Sequence, residues 1–193
     1  MIFMTKSTES KSLKVILIGD GGTGKTSLVN RFIHKKFSSI YKTTIGVDIS
    51  PFNTVTKKTK KPIRFVLWDM SGQTHFKRFR SRFYSGTSGA IIIYDLTNAQ
   101  TYRNVQSWLK ECTDNIRKQI PMILLGNKSD LTELRVELPR SAYPNITTIV
   151  TSAKNGDNVE KAFFQLFEEI TEEQLEKGDQ PEVKTTHISY ENS

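Results

Sequence analysis

Short apolar, β-branched runs recur along the chain at 13–18, 47–55, 63–68, 90–94, 122–125 and 146–150, each the length of a strand. Between them apolar residues fall at helical spacing: Leu28, Val29, Phe32 and Ile33 within 26–34; Val105, Leu109, Cys112 and Ile116 within 101–117; Phe163, Phe167 and Ile170 within 158–177. This alternation predicts an α/β domain with a six-stranded, mainly parallel sheet and helices on both faces. The runs 47–55 and 63–68 are joined only by the lysine-rich 57–61, too short for a crossover helix, so they are expected to form a hairpin with one antiparallel edge strand. In such sheets ligands bind beyond the carboxyl ends of the strands, which directs attention to the loops that follow them.

After the first strand comes Gly19-Asp20-Gly21-Gly22-Thr23-Gly24-Lys25-Thr26, which fits G-x-x-x-x-G-K-[ST] and leads into the helical pattern over 26–34, so that Gly21 through Ser27 are expected to bind the nucleotide. Glycines at these positions let backbone N–H groups face a polyphosphate, and the helix adds its positive N-terminal end. Lys25 is expected at the β- and γ-phosphates, and the Thr26 hydroxyl at Mg²⁺, which takes oxygen ligands and keeps waters beside substrate phosphates. The fold expected is therefore that of the P-loop nucleoside triphosphatases. After the third strand comes Asp69-Met70-Ser71-Gly72-Gln73. There Asp69 is placed to hold Mg²⁺ through water, Gly72 to bring a backbone N–H to the terminal phosphate, and Gln73 to orient an attacking water.

The loop after the fifth strand, Gly126-Asn127-Lys128-Ser129-Asp130, selects the base. The Asp130 carboxylate can accept two hydrogen bonds from guanine N1–H and its exocyclic amine, whereas adenine has no such donor pair and would leave a charge unpaired. Thr151-Ser152-Ala153-Lys154 closes the same end, where a backbone N–H can contact guanine O6.

Together G-D-G-G-T-G-K-T, Y-K-T-T-I-G-V-D, W-D-M-S-G-Q, N-K-S-D and T-S-A-K occur in the order and spacing of the Ras superfamily, and the chain most resembles its Rab branch over about residues 12–170. The resemblance implies a GTP/GDP switch that hydrolyses GTP with Mg²⁺. It also implies that Phe37 is an aromatic edge against guanine, Tyr41 a cover over the phosphates, and Thr44 a catalytic Mg²⁺ ligand sensing the γ-phosphate. Asn127 then braces the phosphate loop and Lys128 lies along the base. Two segments, about 38–47 (switch I) and 72–84 (switch II), are expected to be ordered by GTP and to meet effectors, an exchange factor and a GTPase-activating protein.

Several residues depart from that pattern. Ile49 stands where Rab-like proteins usually carry phenylalanine, in a trio completed here by Trp68 and Phe83, so effector identity does not transfer. Thr74-His75 replaces Glu-Arg, whose glutamate helps exchange factors by pairing with the phosphate-loop lysine. Only 21 residues separate Asp130 from Ser152, and they include Pro139 and Pro144, so the fourth helix is expected to be short or irregular. The chain ends Ser189-Tyr190-Glu191-Asn192-Ser193, with no cysteine for a prenyl group, so membrane association is expected to be peripheral or through partners.

Composition narrows the remaining options. With 193 residues, 36% hydrophobic and 25% charged, the chain fits one soluble domain, expected over 12–172, between a flexible 1–11 and an acidic, disordered 173–193. A single cysteine, read as a small buried hydrophobe, excludes an internal disulfide and fits the cytoplasm. Net charge is +8, with basic clusters at Lys57, Lys58, Lys60, Lys61 and Arg64 and at Lys77, Arg78, Arg80 and Arg82. These read as solvated faces, or as a surface for an acidic protein or anionic lipid. Nucleic acid is disfavoured, because no zinc-ligand spacing, RNA-reading aromatic motif or basic zipper accompanies the charge. A monomer is expected. Two other readings stand beside the switch: a scaffold in which nucleotide is structural, and a basic body that docks on anionic lipid or nucleic acid.

Overall fold

The computed structural model describes residues 12–40, 42–57, 60, 62–132 and 143–176. Six strands, β1 (Ser12–Ile18), β2 (Val47–Val55), β3 (Pro62–Met70), β4 (Thr87–Asp95), β5 (Met122–Asn127) and β6 (Thr147–Val150), form one sheet in the order β2-β3-β1-β4-β5-β6. Every neighbouring pair is parallel except β2 with β3, so the antiparallel edge hairpin expected from the lysine-rich connection is present. Among the described residues the helices are α1 (Lys25–His34), α2 (Lys77–Arg80), α3 (Ala99–Arg103), α4 (Val105–Ile116) and α5 (Val159–Glu176).

The alternation along each central strand sorts side chains between two cores. From β1, Leu13, Val15 and Leu17 pack with α1 and α5, while Ile16 and Ile18 face α3 and α4. β4 is buried at all nine positions, as a central parallel strand covered on both faces must be. In the first core Phe32 stacks on Phe163 at 4.3 Å and Phe65 on Phe167 at 3.8 Å. Such ring pairs add about 0.5–1.5 kcal/mol beyond the area they bury. This ties α1, whose first residues follow the phosphate loop, rigidly to α5.

The second core contains Cys112, fully buried, with its thiol pushed up to about 12, first by burial and then by the charge of Glu111. Alkylation is therefore expected only through opening of the domain, since reaction needs the thiolate. Iodoacetamide labelling followed by mass spectrometry should show Cys112 unmodified in native buffer and fully modified in denaturant; rapid native labelling would contradict this packing.

Several features differ from the sequence reading. Residues 173–176, expected in the disordered tail, are the last turn of α5, and β5 runs past 125 to Asn127. β3 runs on to Met70, so Asp69 lies inside the strand, because Val47–Met70 and Asp48–Asp69 pairing extends the hairpin. β4 begins at Thr87, where Thr87 is tied by N–H and hydroxyl to the Tyr84 carbonyl. The expected helix over 101–117 starts earlier, because the Asn98 side chain caps it at Gln100 N–H, and divides at Asn104, whose ψ of −11° flattens the turn. Residues 74–83 form consecutive 3₁₀, α and 3₁₀ turns that the apolar pattern did not announce. The expected irregular fourth helix, the 1–11 extension and the 177–193 part of the expected tail lie outside the described residues.

Candidate functional site

β1 delivers the chain into the 19–24 loop, and α1 begins at once with Lys25. Gly24 has φ of 96°, and a Cβ there would strike the Asn127 carboxamide nitrogen, so both conformation and space call for glycine. Thr23 is fully buried and closes the loop by donating from Oγ1 to the Asp20 carbonyl at 2.9 Å, while Gly21 and Gly22 are exposed and Ser27 is half-buried. Lys25 Nζ donates to the carbonyls of Gly19 (2.9 Å) and Asp20 (2.8 Å). Burial lowers the Lys25 pKa to about 8, with Asp69 and Asp20 opposing it, so the group remains mostly protonated at neutral pH.

Thr26, Thr44 and Asp69 arrive from α1, the loop before β2, and β3 respectively. Thr26 Oγ1 lies 2.9 Å from Thr44 Oγ1 and donates to Asp69 Oδ2, with Thr44 Oγ1 3.5 Å from the same oxygen. Asp69 is buried, and its Oδ1 has no hydrogen-bond partner among the described residues. Burial raises the Asp69 pKa, against the Thr26 hydrogen bond and the charge of Lys25. A buried carboxylate with an orphaned oxygen beside two hydroxyls is a set of hard oxygen donors that fits Mg²⁺. Among the described residues no cluster of three or more His, Cys, Asp or Glu could hold a metal alone. One carboxylate and two hydroxyls fill only part of a six-coordinate shell, so the donor set suits an ion that shares its shell with phosphate and water.

Gly72 lies against the phosphate loop: a Cβ there would meet Gly19 O, Asp20 C and Gly21 N. Only the smallest residue permits this approach of two backbones. Gln73 is half-exposed, and its carbonyl accepts from Arg80 Nη1 at 2.9 Å. The N–H of Ser71 donates to Gly46 O at 2.9 Å, linking this loop to the one that carries Thr44.

At the other end Asn127 clips three segments together. Its Nδ2 donates to Thr23 O at 2.9 Å, and its Oδ1 accepts from Ala153 N–H at 3.1 Å and Thr151 Oγ1 at 3.4 Å. Lys128, in the left-handed region at φ 71°, pairs with Asp95 at 2.6 Å. Asp130 Oδ1 accepts from Ser152 Oγ at 2.6 Å, and Lys154 Nζ lies 3.9 Å from Oδ2. Ser152 and Ala153 are buried. Truncating Asn127 to alanine unpairs two buried backbone groups, at about 1–3 kcal/mol each, a cost borne largely by the free protein as well, so only part of it reaches binding and nucleotide affinity is expected to fall roughly 10- to 100-fold. Titration with fluorescent GDP measures it, and an unchanged Kd would remove Asn127 from the site.

The chain thus brings together the phosphate loop, Thr44, Asp69 and Gly72 at one end and Asn127, Lys128, Asp130, Ser152 and Ala153 at the other. Phe37 stands 39% exposed beyond α1, and Tyr41 lies outside the described residues. Beyond Asn127, sequence reasoning missed the residues that brace these loops. Asp20 accepts from Asn104 Nδ2 and Trp108 Nε1, each at 2.7 Å, tying the phosphate loop to α3 and α4. Arg31 donates to Ala153 O at 2.7 Å and to Lys154 O. Arg80, counted among the solvated basic residues, is 3% exposed and leaves that face, whereas Lys77, Arg78 and Arg82 stay on it. The available signal was the spacing of Phe76, Arg80 and Tyr84, which puts Arg80 in line with aromatic residues.

Residues 14–172 match the model of the Ras family. Among curated proteins the chain is 40% identical over 162 residues to Ras-related protein YPTC6 of Chlamydomonas reinhardtii, covering 81% of this chain and 74% of that protein. It is 37% identical over 175 residues to GTP-binding protein ypt3 of Schizosaccharomyces pombe, covering 86% and 81%. With Ras-related protein Rab-11A of Dictyostelium discoideum it shares 39% over 163 residues, covering 81% and 75%.

Proposed function

The chain belongs to the Ras family as a Rab-like small GTPase, and on that premise we propose that residues 12–172 form a Mg²⁺-dependent switch for membrane trafficking. The observation that carries the metal-dependent part is the meeting of Thr26, Thr44 and Asp69 around an orphaned carboxylate oxygen. Thr26 and Thr44 would ligate Mg²⁺ directly and Asp69 through water. The ion supplies neutralisation of charge on the phosphate oxygens.

Backbone N–H groups of 21–26 hold the β- and γ-phosphates, and the Lys25 ammonium, preset on two loop carbonyls, compensates charge that grows toward the transition state. Gly72 N–H contacts the γ-phosphate, and the Gln73 carboxamide orients the attacking water. Asp130 reads guanine, Ala153 N–H contacts O6, Lys128 and Phe37 flank the base, and Tyr41 covers the phosphates. Residues 38–44 contain no arginine, so unaided turnover is slow and an activating protein raises it; family cases gain about 10⁵-fold.

Effectors and an exchange factor meet switch I (38–47) and switch II (72–84). Exchange proceeds without a glutamate at position 74, where Thr74 stands. No helix of the described residues is long and apolar enough to cross a membrane. We propose a cytoplasmic monomer that reaches membranes peripherally or through partners, with Lys57, Lys60 and Arg64 and with Lys77, Arg78 and Arg82 exposed toward acidic surfaces. The test is to denature the purified protein, identify the released nucleotide, and follow phosphate release after loading with GTP and Mg²⁺. Guanine nucleotide with GTP converting to GDP is expected; bound GTP that never hydrolyses would instead make the protein a scaffold.

A further inference from the structure

Arg80 is a heavily committed side chain outside the nucleotide loops. Its guanidinium makes four hydrogen bonds: Nε to Glu111 Oε1 (2.9 Å), Nη2 to Glu111 Oε2 (3.1 Å), and Nη1 to the carbonyls of Ser71 and Gln73 (both 2.9 Å). The arginine side chain is 4% exposed and that of Glu111 10%. The guanidinium carbon also sits 4.4 Å from the centre of the Trp108 ring. Glu111 Oε1 additionally accepts from Tyr84 OH at 2.9 Å, and burial together with the Glu111 charge holds that phenol protonated. Glu111 is thus fixed from two sides on α4.

Two things follow from the bonded atoms. The Ser71 carbonyl belongs to the peptide that enters Gly72 and the Gln73 carbonyl to the peptide that leaves Gln73, so one planar, rigid group brackets the Gly72-Gln73 backbone from which the Gln73 side chain departs. The same helix also holds the phosphate loop, because Trp108 Nε1 donates to Asp20 while the Trp108 face meets Arg80. Phosphate loop and water-orienting loop are referenced to one rigid face of α4.

We infer that Arg80, anchored by Glu111, is a positioning residue for hydrolysis, fixing the backbone around Gly72 so that Gln73 is presented to the attacking water. This rests on the role proposed for Gln73. Misplacement of a positioned group by 1 Å can lower a rate about 10²-fold, and only part of that is at stake here because the loop also packs on the phosphate loop through Gly72.

The experiment compares Arg80→Met/Glu111→Gln, which replaces the buried ion pair with a neutral pair, Arg80→Lys, which keeps the charge but loses the fork, and Gln73→Leu, alone and combined with the double variant. Single-turnover GTP hydrolysis, fluorescent GDP dissociation, melting temperature, and the ¹⁵N shifts of Gly72 and Thr74, whose peptides contain the two bonded carbonyls, are read for each. Hydrolysis in the double variant and in Arg80→Lys is expected to slow about tenfold. GDP dissociation should stay within about threefold, both ¹⁵N signals should move, and adding the pair change to Gln73→Leu should slow it no further. If Gln73→Leu slows hydrolysis but neither Arg80 variant does, the inference fails while the Gln73 role stands. If Gln73→Leu itself has no effect, that role fails and the inference with it. Slowing matched by proportionate loss of GDP retention and melting temperature would make Arg80 a structural residue only.

Discussion

Asp130→Asn is expected to convert the protein from guanine to xanthine selectivity. The Asp130 side chain is 10% exposed, and Ser152 Oγ donates to its Oδ1 at 2.6 Å, so the carboxylate is held in one orientation. As a carboxylate it accepts from both N1–H and the exocyclic amine of guanine. As a carboxamide, with its oxygen kept toward the Ser152 hydroxyl, it presents an NH₂ to that amine, donor against donor. Xanthine carries a carbonyl where guanine carries the amine and satisfies the same NH₂. Sites built around hydrogen bonds to a ligand reject a mismatch by about 10⁴-fold, and a partly open site gives somewhat less. GTP affinity is expected to fall roughly 10³-fold and xanthosine triphosphate to become the better ligand. Competition of both nucleotides against fluorescent GDP reads the exchange. Equal weakening of both, or ATP and GTP binding alike in the unmutated protein, would dismiss Asp130 as the base-reading residue.

What the sequence disclosed and what it hid divide along chain separation. The β2–β3 hairpin, the parallel strands and the three long helical patterns were legible because their signals are local alternations and 3.6-residue repeats. The phosphate loop and the Asp69–Gln73 and Asn127–Asp130 segments were legible because each is contiguous and lies at the carboxyl end of a strand. Asp20 and Trp108 lie 88 residues apart, and Arg80 and Glu111 lie 31 apart. Each of those residues, read alone, is an ordinary surface charge or core aromatic. Only the packing of α4 against β4 and the 74–83 turns makes them partners. The division at Asn104 was hidden for the same reason, since the side chain that marks it is bonded to a residue in the phosphate loop.

Gln73→Leu is expected to leave nucleotide binding intact and to remove most hydrolysis. The hydrogen bonds that hold the loop near position 73 engage its backbone: Arg80 holds the Ser71 and Gln73 carbonyls, and Ser71 N–H meets Gly46 O. A change of side chain therefore leaves the path of the loop in place and isolates the carboxamide. Position 73 is half-exposed, so stability should change by no more than about 0.5 kcal/mol. Leucine is close in size but cannot accept from or donate to the water that attacks the γ-phosphate. Positioned groups of this kind contribute about 10²-fold or more, so the unaided single-turnover rate is expected to fall 10- to 100-fold. With an activating protein the loss grows, because the roughly 10⁵-fold acceleration such partners give requires the attacking water to be held in line. Phosphate release from the GTP-loaded, Mg²⁺-saturated protein measures the rate, and nucleotide content on denaturation confirms loading. An unchanged rate in fully loaded protein would assign the water to another group and return Gln73 to the solvent-facing surface.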